Sequence, residues 1–479
     1  MDFRRIPRTL FVGAVAICAS LVASDAAAQA GNQLAARDVA TGATADAATY
    51  YNAVQGVLER NCVTCHTENP VSVGGMIAPF ALTTFEDARR RASAIAGVVT
   101  TGYMPPWGAD IQHKGTFKDE RYLPAEDKQV LIDWAEAGAP MGDPSEAATA
   151  TSLANLEGPE ALEPTVAPDG RVWLMGMPNM VVGFDEPLVV CEQVQDWQPQ
   201  VPQRVISGEL TEPRWIRGTE INAGPKVHHT VSSLLGVGTP GRGPFVFPEG
   251  WGILMVPDQY MSISMHYHKE AGPGTEIVDD TRGGIQFYED GDRIDHVVET
   301  RLQPFTDFVI PAGHPNYEVQ NTTHFDEDIY LLSMGPHAHY RGKAVRIELQ
   351  RPDRRFRETL LSVPDYDFNW QFQYELEEPL FIPAGSSMIT TWWYDNSAGN
   401  LYNPDPTVDV TYGAATTDEM MNSRIYFART APLGLVAGGP IPADLVERAQ
   451  AADERARRRA RQWEDGSQSC AKAADITSR

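Results

Sequence analysis

"YLLSMGPHAHYRGKAVRIELQ", residues 330–350, sets the fold of the longer part of this chain. It reads as two β-rich runs with a Gly- and Pro-bearing break between them. Side chains two apart on a strand share a face, so His337 and His339 can grip one metal ion. The texture continues on both sides, in "VVGFDEPLVVC" (181–191), "RVISGEL" (204–210), "YMSISMHYH" (260–268) and "SMITTWWYDN" (387–396). Short strands separated by Gly, Pro and Asp turns predict antiparallel sandwiches. The region is long for one sandwich, and a break near "DFVIPAGHPN" (307–316) divides it into 170–310 and 311–440.

Upstream the period changes. From Ala47 to about Asp143 the pattern is helical: "YYNAVQGVLER" (50–60), "TFEDARRRASAIAGVVTTG" (84–102) and "PAEDKQVLIDWAEAGAP" (124–140). Residues 144–169 read as an acidic, Pro-punctuated linker, and 441–479 as a charged helical tail whose arginine run suits a solvated face. The first thirty residues read as an export signal, with Arg4, Arg5 and Arg8 ahead of an apolar stretch and "AQA" ending at Ala30. At 479 residues, and roughly 100–200 residues per domain, the chain is multidomain. No other stretch reaches the about 18 apolar residues of a membrane span, so the expectation is a periplasmic or secreted protein. Losing the signal removes three Arg and two Asp, taking the net charge from −25 to −26. Such a balance argues against nucleic acid and anionic membranes as partners.

"NCVTCHTENP" (61–70) contains C-x-x-C-H. Cys62 and Cys65 can each add across a haem vinyl group, and His66 then becomes the proximal iron ligand. A zinc site would need a second ligand pair nearby, and a thioredoxin-type motif would need a βαβ context. Met104, in the Pro-stiffened "TGYMPPWG" (101–108), is the expected sixth ligand, with Met76 its rival. Residues 47–143 thus resemble a class I cytochrome c carrying one covalent haem c. Cys191 and Cys470 either pair in a disulfide or stay separate thiols; spacing does not decide.

The histidines cluster further. His228 and His229 are adjacent, and His266 and His268 lie two apart. Adjacent histidines on a regular strand face opposite ways, so the 228–229 pair needs a bulge or turn to converge. Imidazole-rich sites suit copper, zinc or iron, and a thioether companion tilts the choice to copper. "VHHT" (227–230), "MHYH" (265–268), "PHAHYRGK" (336–343) and "TTDEMMNS" (416–423) follow the order and approximate spacing of the copper type II, ascorbate-dependent monooxygenases, the family of peptidylglycine α-hydroxylating and dopamine β-monooxygenases.

That resemblance covers roughly 170–430 and implies two tandem jelly-roll-like sandwiches. It implies one copper on His228, His229 and His266 that relays electrons across a solvent cleft. It implies a second, oxygenating copper on His337, His339 and Met420, with Met420 preferred to Met421. His268 has no required place in the motif. The partners implied are O2, a small organic substrate and an external electron donor, a redox protein or small reductant, with the haem domain delivering electrons. Arg424 shares a strand face with residue 420, where a carboxylate substrate or a structural ion pair would equally suit it. Two readings outside this class are a non-catalytic electron-transfer or copper-binding protein and a zinc hydrolase; for the latter no H-E-x-x-H is present.

Overall fold

The computed structural model describes residues 48–63, 65–67, 78, 80–147 and 165–463, except 225, 233, 239–242, 270, 354 and 414. The expected export signal, Met76 and Cys470 lie outside the described residues. Cys191 is disulfide-bonded and buried, whereas Cys62 and Cys65 are free thiols.

The amino-terminal part is helical. A tight turn at Tyr50–Val54, capped by Thr49, runs into α1 (Gln55–Asn61), followed by α2 (Phe85–Arg90), α3 (Ala92–Thr101) and α4 (Ala125–Glu136). Local chemistry sets the ends. Thr84 accepts from the Asp87 amide at 3.2 Å to start α2, and Gly102, at φ 78°, ends α3 where a side chain would be strained. Glu126 and Asp127 suit the positive end of the α4 dipole. Trp134 of α4 is fully buried with Tyr50, Leu58 and Leu131, and its indole donates to Pro140 O at 2.9 Å.

The rest is β, as the sequence texture predicts, closed by α5 (Ala443–Trp463). Eight strands matter here: β1 (Arg214–Asn222), β2 (Val227–Ser232), β3 (Met261–His268), β4 (His296–Leu302), β5 (Ile329–His337), β6 (Arg357–Val363), β7 (Tyr374–Ile382) and β8 (Asn422–Arg429). Two cores mark two sandwiches. One holds Met180, Ile216, Ile263, Met265 and Ile285; the other holds Ile347, Leu349, Leu361, Trp392 and Ile425. The sandwiches are fused, because β4 pairs antiparallel with β8, which pairs on its other side with β5. One sheet therefore runs from β7 through β5, β8 and β4 into the first sandwich. A second sheet backs it, with strands Tyr317–His324, Ser387–Tyr394, Gly342–Gln350 and β6 in that order.

β7 and β6 end their respective sheets, and the segment between α3 and α4 closes both edges. The Lys118 amide donates to Glu375 O at 2.8 Å and the Glu377 amide to Thr116 O at 2.9 Å, adding a short rung to β7. On the other edge the Asp110 amide donates to Ser362 O at 2.8 Å, and the Ser362 amide to His113 Nε2 at 3.0 Å. Phe117 and Ala109 enter the core of the second sandwich, and Lys118 pairs with Glu375 at 2.8 Å. An edge strand exposes unpaired backbone groups, which this arm covers. At the other end α5 buries Leu445 with Trp215, Leu254 and Ile294. Its Asp453 accepts from the Tyr260 amide at 2.7 Å, and Arg457 lies over the Tyr260 ring, so part of the basic run is engaged. Among the described residues no helix is long and apolar enough to cross a membrane.

Candidate metal centres

The first candidate is the C-x-x-C-H turn at the end of α1. The His66 amide donates to Cys62 O at 2.9 Å, and the returning chain closes on the turn through the Leu82 amide and His66 O, also 2.9 Å. His66 Nδ1 lies 3.0 Å from Phe80 O. A carbonyl only accepts, so Nδ1 carries the proton and Nε2 the lone pair that a metal needs. Burial pushes the Cys62 thiol up to about 12 and raises Cys65, against which the positive charge of Arg121 acts. The C-x-x-C-H turn offers two thiols for thioether attachment beside one imidazole ligand. The donor set thus fits a covalent haem. Met104 is half-buried just after α3, its amide donating to Val98 O at 3.2 Å.

The second candidate is built from strands of both sandwiches. His229 on β2 and His266 on β3 are direct cross-strand partners, and the register shifts between His266 and Tyr267, which faces Val227. The extra residue is His228, so the bulge that the adjacent pair requires sits at that position; of the His228 and His268 side chains nothing is described. The His229 and His266 Nδ1 atoms lie 3.3 Å apart, and both residues are buried.

His337 ends β5, and His339 lies just past the strand; their ring centroids are 5.2 Å apart and nearly perpendicular. The pair is close because the chain turns there, rather than because both side chains sit on one regular strand. His337 Nδ1 hydrogen-bonds Gln371 Oε1, and His339 Nδ1 lies 3.4 Å from Asp418 O. Both acceptors put the proton on Nδ1 and turn the lone pair of Nε2 outward. Burial, opposed by the Gln371 bond, lowers His337 to about 4, so the ring is neutral as a ligand must be.

Met420 precedes β8, and Met421 beside it is packed in the core, whereas the Met420 sulfur receives a 3.2 Å bond from Asn422 Nδ2. Glu419 ties the two ligand-bearing segments together: its carboxylate accepts the amides of His339, Met420 (2.7 Å) and Arg341 (3.0 Å). Burial nonetheless pushes it up to about 7. Arg341, also buried, holds the neighbouring loop through Asn396 Oδ1 at 2.7 Å and Thr417 O at 2.8 Å.

The resemblance implied a solvent cleft between the two histidine sets. Here His229 and His337 ring centroids are 6.4 Å apart, and Phe368 lies among them, 5.4 Å from His266 and 6.1 Å from His339. Among the described residues no three His, Cys, Asp or Glu side chains stand ready to hold one ion. That leaves sets completed by Met420 or by His228 untouched. Imidazoles, most of them buried, beside a thioether-bearing segment, with the Glu419 carboxylate committed to three amides, fit copper by donor chemistry.

Arg424 lies beside His337, and its Nη1 donates to Ser232 O at 3.0 Å, linking the sandwiches. Sequence reasoning missed Glu419, Arg341 and the buried segment holding Phe368 and Gln371. A signal for the last was present: Tyr366, Phe368, Trp370, Phe372 and Tyr374 alternate through a stretch that is mostly not strand.

The comparison with protein families bears on this centre. Residues 299–435 match the family model of the copper type II ascorbate-dependent monooxygenase, C-terminal domain. The match takes in well under half of the chain. It contains His337, His339 and Met420, and it supports copper and monooxygenase chemistry for the second sandwich. No curated protein matches the chain. Among solved structures, the major capsid protein P2 from bacteriophage PM2 is similar at 7% identity and TM-score 0.23, covering 53% of this chain and 99% of that one. The VP2 subviral particle protein of infectious bursal disease virus is similar at 10% identity and TM-score 0.16, covering 60% and 91%. At such scores neither bears on fold or function.

Proposed function

We propose that this is an exported copper-dependent monooxygenase that hydroxylates a C–H bond of a small organic substrate with O2, drawing electrons through a haem c held in its own helical domain. The observation that carries the reading is the meeting of the His337 and His339 rings, with the Met420 segment tied to His339 through Glu419, inside the stretch matching the monooxygenase family.

In this reading His337, His339 and Met420 hold the oxygenating copper, and His228, His229 and His266 a second one. Cys62, Cys65 and His66 hold the haem, with Met104 as the further ligand. Copper, when bound, supplies O2 activation and hydrogen abstraction. The chain's own residues do the rest. Gln371 and Asp418 O fix the proton on Nδ1 of their histidines, so ligation costs no tautomer change. Glu419 and Arg341 hold the 337–341 and 417–420 segments in register. Phe368 packs against the buried His229, His266 and His339 rings. Arg424 has one N–H committed to Ser232; its remaining donors are what a substrate carboxylate would meet.

The test is transfer of label from 18O2 into organic product by the copper-loaded, reduced full chain offered a set of small carboxylic acids. Label that disappears with His337→Ala supports the reading. Absence of label together with retention of zinc in place of copper would contradict it.

A further inference from the structure

The arm that closes the sheet edges also joins the two candidate centres. The charge of Arg121 acts on Cys65, and its guanidinium lies 5.2 Å over the Phe372 ring. Trp107, three residues after Met104, packs 5.5 Å from Phe372. Gln371, next in the chain, bonds His337 through its side-chain oxygen and donates to Phe368 O at 2.9 Å. The Phe368 ring sits among the histidines of both sandwiches. The inner part of this chain of contacts is shielded from solvent, for Phe368, Gln371 and Phe372 are all buried.

We propose that the 368–372 segment is the electron conduit of this protein, taking electrons from the haem side through Trp107 and Arg121 onto Phe372 and delivering them through Gln371 to His337. The proposal rests on the functional reading above. In each passage ferrous haem c gives one electron and becomes ferric, and a cupric ion on the His337 side becomes cuprous. No bond in the protein forms or breaks, and an external redox protein or small reductant restores the ferrous haem. Entry is then at the second sandwich, so electrons need not pass through the His229–His266 pair first.

The experiment follows the haem absorption band when the fully reduced, copper-loaded full chain meets O2, with zinc-loaded protein as reference. Trp107→Leu and Phe372→Leu should lose most of the fast, copper-dependent haem oxidation. Trp107→Phe and Phe372→Tyr should keep it, with haem spectrum and copper content unchanged throughout. Amide exchange at Asp110, Lys118 and Ser362, measured on the same variants, reports whether the arm remains docked. Gly108→Val is the second route: a Cβ there would lie 2.8 Å from the Tyr374 hydroxyl and 3.0 Å from Val363. Lifting the arm in this way should abolish the fast phase. Fast oxidation retained in the Leu variants or in an undocked Gly108→Val overturns the conduit. Wild-type oxidation no faster with copper than with zinc overturns the functional reading itself, which is a separate outcome.

Discussion

Gln371 shows how much of the site depends on residues that no motif marks. Its oxygen fixes the His337 tautomer, so Gln371→Leu should weaken copper binding by about 10–100-fold, the usual effect of losing a partner behind a ligand. Copper titration of the haem-loaded protein reads this directly. Unchanged affinity would mean that His337 is not a ligand. The histidines themselves were legible because close spacing in sequence is a local property, although His337 and His339 meet at a chain turn and not on one strand face. Gln371, Phe368 and Glu419 were not, because each is a lone residue brought in by a fold contact. Glu220 carries a separate residue-scale prediction. Burial raises it from its ordinary 4.5 to about 7, against bonds from the Leu174 and Met175 amides. Between those values the unfolded chain has lost this proton and the folded chain keeps it, so this group makes stability fall as pH rises. At about 1.4 kcal/mol per pKa unit the loss is at most about 3 kcal/mol, complete above neutrality. Thermal melts at acid and neutral pH should therefore differ less in Glu220→Gln than in the parent chain; an equal difference would contradict the assignment.

β8 is the element that turns two sandwiches into one scaffold. It lies between β4 and β5, begins two residues after Met420 and carries Arg424 across to Ser232. Ile425, fully buried in its middle, should cost about 2–5 kcal/mol as Ile425→Ala, read as a shift in denaturant midpoint. Because both sandwiches share the strand, the whole β region should unfold in one transition; two resolved transitions would show that the shared pairing is weak. Strand content was readable from short runs and turn residues. The β4–β8 pairing was not, since partners more than a hundred residues apart leave no mark on either strand's own pattern. The bulge at His228 was foreseeable only as a requirement, because its position depends on the register of β3.

At the scale of the whole molecule the helical part precedes the first sandwich in the chain but is built into the second through edge contacts. Rungs at Lys118 and Glu377 on one edge and at Asp110 and Ser362 on the other hold it there. Lys118→Glu would set two carboxylates against each other at Glu375, and amide exchange at Lys118 and Glu377 should rise while the α4 amides stay protected. Protection kept at both edges would mean that the backbone rungs alone hold the dock. Sequence reading treated 47–143 as a unit on a tether, because edge pairing between distant segments is a backbone contact that composition does not record. The central claim, two coppers and one haem on one chain, is tested most directly by metal and haem content per chain, measured on periplasm-matured protein and on its His337→Ala and His229→Ala variants. The account predicts two coppers and one haem, with each variant losing one copper and keeping the haem. A single ion lost in both variants, or zinc in place of copper, would contradict it.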